Sequence, residues 1–214
     1  MGKARLIAIS AAAAAAAALP TAAPAGTVAE KKVYDAGRCI VRADRSAAAQ
    51  LLRTLPSSGE VSVDAGDLGD AAKCLGGSAT VSAMALRGSV AQALFLKDFD
   101  RFAVKPQVAS HLFADFEVPT EKTAGADPKT VAMYKLGDCV VRNEAMKIES
   151  FLRASVGSAQ EDQLFEYFGP IMSACQAGQE PIRISRAALR SVFAQAAYKV
   201  SVRYWTEDMY TASR

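Results

Sequence analysis

The feature that most constrains this chain is that it is written twice, about 100 residues apart, with its cysteines in step. Tyr34, Gly37, Cys39, Ile40, Val41 and Arg42 return as Tyr134, Gly137, Cys139, Val140, Val141 and Arg142, and Leu52-Arg53 returns as Leu152-Arg153. The register slips by one residue at Cys74 and Cys175, and by three at Leu86-Arg87 and Leu189-Arg190, with Gln92 recurring as Gln195. Slips of that size fall where diverged duplicates differ, in loops. The pattern is that of one supersecondary unit repeated so that neighbours share a core.

The duplication bears directly on the cysteines. Four cysteines allow three connectivities, and a unit copied whole favours Cys39 with Cys74 and Cys139 with Cys175. The swapped pairing of Cys39 with Cys175 and Cys74 with Cys139 also respects the symmetry and stays open at this level. Closing a loop of this length stabilises by roughly 3 to 4 kcal/mol in the chain-entropy model. Metal sites and redox pairs usually bring cysteines within a few residues of one another, as in C-x-x-C, and no such spacing occurs here.

Lys3 and Arg5 precede the alanine-rich apolar run from Leu6 to Leu19. That layout predicts a signal peptide over residues 1–25, cut after Ala25 or Ala23, with the remainder periplasmic or secreted. The run is shorter than the roughly 20 apolar residues a membrane span needs, so the mature chain is expected to lack one. Removing Lys3 and Arg5 lowers the 25 basic side chains to 23 against 22 acidic ones. So even a balance gives no general field for nucleic acid or an anionic membrane.

Alanine, leucine and arginine dominate each copy, with breakers only between segments, which is helical in character. The expected fold is all-α: two tandem disulfide-stapled repeats, residues 31–97 and 131–201, with about four short helices each. In the first copy these helices cover about 35–43, 44–55 with Asp44 as N-cap, 67–75, and a fourth after Ser82. In the second copy the third helix is longer, about 159–177, with Leu164, Phe165, Phe168, Ile171, Met172 and Cys175 on one stripe, and the fourth begins after Ser185. Val61-Ser62-Val63 and Ile182-Arg183-Ile184 alternate as strands do and leave room for a small β element. Residues 98–130 read as connector, with Phe99, Phe102, Phe113 and Phe116 in its first part and a linker from Pro119 to Lys129. Residues 202–214, with Tyr204, Trp205 and Tyr210, read as a C-terminal tail. Rings in both segments either pack on the repeats or form a partner surface.

Catalytic signatures are sparse. The single histidine, His111, lies beside Leu112 and Phe113, and no H-E-x-x-H, G-x-S-x-G, P-loop, G-x-G-x-x-G or S-x-x-K pattern occurs. Glu161, Asp162 and Glu166 cluster at a helix start, where acids favour the positive end of the dipole. The repeated polar positions are the sharpest hint: Arg42, Arg53 and Arg87 recur as Arg142, Arg153 and Arg190. Each guanidinium either pairs with a carboxylate such as Asp44 or Glu144 and locks helices together, or contributes to a pair of anion sites.

The pattern Gly-x-Cys-Val-Val-Arg, followed by a short alanine and leucine helix, resembles small exported proteins of unknown function found in alphaproteobacteria. The resemblance implies a bacterial envelope location and brings with it no activity, cofactor or catalytic residue. The expected role is that of a non-catalytic exported protein, without cofactor or metal, that binds another envelope component or a secreted protein. The alternatives are a cell-wall hydrolase working through carboxylates, or a small-ligand carrier with the repeated arginines at its site.

Overall fold

In the computed structural model, residues 28–53, 62–64, 73–75, 80–99, 128–177 and 182–203 are described. Their helices begin and end where the side chains dictate. Helix α1, Val28–Ala43, buries Tyr34, Ala36, Gly37, Ile40 and Val41, a stripe at helical spacing. It gives way at Asp44, whose backbone is extended and whose carboxylate accepts from the Ala47 amide at 2.9 Å, capping α2, Arg45–Leu51. The expected N-cap is thus the observed one.

Strands β1, Ser62–Asp64, and β2, Thr80–Ser82, pair antiparallel with Val63 opposite Val81. The first β-like triplet of the sequence contributes to this ladder, a small addition to a mostly helical fold. The second does not, because residues 182–184 run as coil into the last helix. Of the helix expected over 67–75, only the short 3-10 turn at 73–75 lies within the described residues.

Helix α3, Ala83–Asp98, is buried at nearly every position from Leu86 to Phe95, and α7, Arg186–Arg203, at every position from Leu189 to Tyr198. A helix buried all round must be wrapped by others, and these two, which carry buried Arg87, Ser89, Arg190, Ser191 and Gln195 among their apolar side chains, pack on each other at the centre of the molecule. At their crossing Gly88 sits against Ser191 so closely that a Cβ would overlap the serine. Helix α1 lies on α3, with Gly37 seated on Ser89, and α4, Pro128–Asn143, lies on α7, with Gly137 seated on Val192. The sequence reading placed 128–130 in the connector; Pro128 suits the first turn of a helix, where no amide donor is needed, and α4 begins there.

Helices α5, Ala145–Arg153, and α6, Ala159–Cys175, complete the bundle. Phe151 of α5, Phe165 and Phe168 of α6 and Phe193 of α7 meet edge to face, with ring centroids 4.8 to 5.9 Å apart. That geometry suits the aromatic quadrupole and fixes α6 against the core. The disulfides join Cys39 to Cys74 and Cys139 to Cys175, so the swapped pairing is excluded. No helix among the described residues is long and apolar enough to cross a membrane.

Of the connector rings only Phe99 is described. It packs 6.2 Å from Phe95 and 6.1 Å from Tyr198, which takes it into the body of the protein. Phe102, Phe113, Phe116, His111, Tyr204, Trp205 and Tyr210 lie outside the described residues, as does the segment read as a signal peptide.

Candidate functional site

The repeated arginines are not gathered into one site. Arg42 is exposed at the end of α1, where its Nε donates to the Arg38 carbonyl at 3.3 Å, and Arg53 is exposed just past α2. Arg142 pairs with Asp138 one turn back at 2.7 Å, and Arg153 with Glu149 at 3.2 Å. Arg87 and Arg190 are buried on the two central helices. The expected carboxylates are occupied otherwise. Asp44 caps α2, and Glu144 takes the Tyr167 hydroxyl.

Arg190 shows how a fully buried cation is held. Its Nη1 donates to Glu161 at 2.5 Å, its Nη2 to the Ala154 carbonyl at 2.7 Å, and its Nε to the Gln92 side-chain oxygen at 3.0 Å. The guanidinium also lies over the rings of Phe151 and Tyr34, 4.8 and 5.1 Å from their centroids. Gln92 turns its amide the other way and donates to the Leu152 carbonyl at 2.8 Å. The Arg190 contacts join α7 to α1, α3, α5 and α6 and to Ala154 just past the end of α5. A buried charge is tolerated only when paired and hydrogen-bonded in this way.

Glu161 has a second duty. It accepts from the Gly157 amide at 2.5 Å, one residue before the N-cap Ser158, whose hydroxyl accepts from the Glu161 amide at 3.2 Å, so the carboxylate that binds Arg190 also holds the turn leading into α6. The cap itself is Ser158, and of the acidic cluster Glu161 and Asp162 stand in the first turn of α6, where the helix dipole favours them. Asp162 pairs with Arg186, and Glu166 is exposed.

The surface offers a different place. An open groove of about 410 Å³ lies between the end of α4 and the second half of α6, lined by Asn143, Glu144, Pro170, Ile171, Ala174 and the Cys139–Cys175 disulfide. The disulfide and the aliphatic side chains give it an apolar floor. Asn143 is fixed by donating to the Cys139 carbonyl at 2.8 Å. Glu144, at the groove, accepts from the Tyr167 hydroxyl at 2.8 Å, and Lys147 Nζ stands 5.3 Å over the Tyr167 ring. The bond to Glu144 raises the phenol above its ordinary pKa, with desolvation and the carboxylate's charge adding to it. Tyr167 (42 % exposed) and Met146 (66 % exposed) are the large hydrophobic side chains left in solvent among the described residues.

The sequence reading passed over both residues. Tyr167 falls off the α6 stripe of Phe165, Phe168 and Met172, and Met146 falls off the Ala145, Ile148, Leu152 stripe of α5. An aromatic or methionine on the polar face of an amphipathic helix was the available signal. Among the described residues no group of three acidic, histidine or cysteine side chains is placed to hold a metal ion. Comparison with protein-family models, curated proteins and solved structures finds no match to this chain.

Proposed function

We propose that this is an exported, two-repeat helical protein that binds another envelope or secreted component through the α4–α6 groove. The observation that carries the reading is the groove itself: an apolar floor with polar side chains at its edge, one of which, Glu144, holds the exposed Tyr167, while the exposed Met146 follows two residues after Glu144 in the chain. Tyrosine and methionine are enriched at the centres of protein interfaces. The repeated arginines, on this reading, serve the scaffold, as Arg190 does with Glu161 and Gln92.

Two further features support the reading. The disulfides point to an oxidising, extracytoplasmic environment. The packing of Gly37 on Ser89 and of Gly137 on Val192 follows the register of the sequence repeat, in which Leu86-Arg87 corresponds to Leu189-Arg190. The test is photo-crosslinking in intact bacterial envelopes, with a photoreactive side chain in place of Tyr167 and the chain at native level. A stoichiometric protein adduct that is lost when Met146→Asp and Ile171→Asp are added, with the melting point unchanged, is expected. Adducts that those substitutions leave untouched, or none above background, would refute it.

A further inference from the structure

The floor of the α4–α6 groove contains a bond that thiol chemistry can open. Cys139 and Cys175 are both half-buried and both line the groove, so their disulfide is reached through the same opening as Pro170 and Ile171. The two ends of the bond differ. Asn143, one turn beyond Cys139, donates from its Nδ2 to the Cys139 carbonyl at 2.8 Å and to Cys139 Sγ at 3.6 Å. An amide N–H directed at a sulfur stabilises the thiolate form of that sulfur. Cys175 is the last residue of α6, where the negative end of the helix dipole disfavours a thiolate, whereas Cys139 lies a full turn inside α4. In the first copy Ala43 stands at the position of Asn143, and its methyl offers Cys39 no donor.

We propose that Cys139–Cys175 is a thiol–disulfide exchange site, opened by a thiolate that enters the groove. Exchange is faster when the leaving sulfur is the more stable thiolate, so the entering sulfur attacks Cys175 Sγ. A bond forms between the entering sulfur and Cys175, the bond between Cys175 and Cys139 breaks, and Cys139 departs with the electron pair as a thiolate held by the Asn143 amide. The entering thiol has given its proton to water before attack, and the step needs no other oxidant or reductant. Its co-reactant is a thiol, carried either by a small molecule or by a cysteine of a polypeptide. The proposal rests on the reading of the groove as the functional site and adds a reactive group to it. Exchange with a thiol in solution requires no docked protein, so this step and the crosslinking at Tyr167 can fail separately.

The experiment exposes the folded, oxidised full chain to glutathione, quenches with acid at intervals, alkylates free thiols and maps the products by peptide mass spectrometry. The expected product carries glutathione on Cys175 and the alkyl group on Cys139, and it forms about tenfold faster than any adduct at Cys39–Cys74. Asn143→Ala is expected to slow exchange at Cys139–Cys175 several-fold while the rate at Cys39–Cys74 and the melting point stay as in the parent. Asn143→Asp, of the same shape but with a carboxylate beside the leaving sulfur, should slow it further. A short unstructured peptide with one cysteine, run in parallel, separates the two sources of thiol: selective exchange with glutathione marks a small-thiol site, and selective exchange with the peptide alone marks a polypeptide-thiol site. Selectivity with neither overturns the proposal, as does an adduct on Cys139 in place of Cys175 or a rate that Asn143→Ala leaves unchanged.

Discussion

Arg190 carries a positive charge into the buried N-terminal part of α7, and its surroundings account for why it is tolerated there. Its guanidinium is 1 % exposed at the side chain and its partner Glu161 is 6 % exposed. Removing one member of such a pair strands the other. Arg190→Met is therefore expected to cost about 3–5 kcal/mol in urea unfolding. Adding Glu161→Gln should recover part of that loss, because the glutamine oxygen still accepts from Gly157 and no charge remains buried; a double-mutant cycle reads the coupling. Arg53→Ala, at an exposed position, should stay within about 0.5 kcal/mol of the parent. The residue types were legible in the sequence, since arginine and glutamine recur at matching positions. Their partners were not. Glu161 stands 29 positions from Arg190, and only the folding of the α5–α6 turn back onto α7 brings it to the guanidinium.

At the scale of the element, helix starts marked by a local cap were legible, whereas α1, expected from about residue 35, begins at Val28. Asp44 three residues before the Ala47 amide, and Ser158 three before Glu161, are short-range capping signals that the fold honours. Asp44→Ala is expected to lower stability by about 1 kcal/mol, with the loss confined to α2 in amide exchange. The register at which a helix meets its neighbours depended on long-range packing and was not legible. Tyr198 illustrates this. Burial, and secondarily the charge of Asp98, raises its phenol above the ordinary value of 10.0, against which Arg45 acts in the lowering direction. A raised pKa means the folded state keeps its proton where the unfolded chain loses it. That contribution is complete below pH 10 and is lost as pH climbs through the folded value. Tyr198→Phe, which keeps the ring beside Phe99, should flatten the stability profile above pH 10 and leave it unchanged near neutrality.

For the whole molecule, the mostly helical class and the disulfide pairs followed from composition and duplication, whereas the groove proposed as the binding site did not. A repeat predicts which side chains hold equivalent positions; it does not reveal the surface left uncovered when α6 folds across α4. Reducing one disulfide should weaken one half first. Cys139→Ser with Cys175→Ser is expected to cost about 3–4 kcal/mol by loop-closure entropy, read by thermal unfolding of the full chain. It should also reshape the groove floor that the disulfide supplies.

Helices α3 and α7 pack as one core across which Arg190 reaches Gln92, and the two halves are therefore expected to be stable only together. Native-state hydrogen exchange measures this. The slowest amides of α3 and α7 should open with a single shared free energy, and Arg190→Met should lower both by the same amount. If Arg190→Met lowers protection in α7 alone and leaves α3 at its parental value, the halves are independent and the account is wrong.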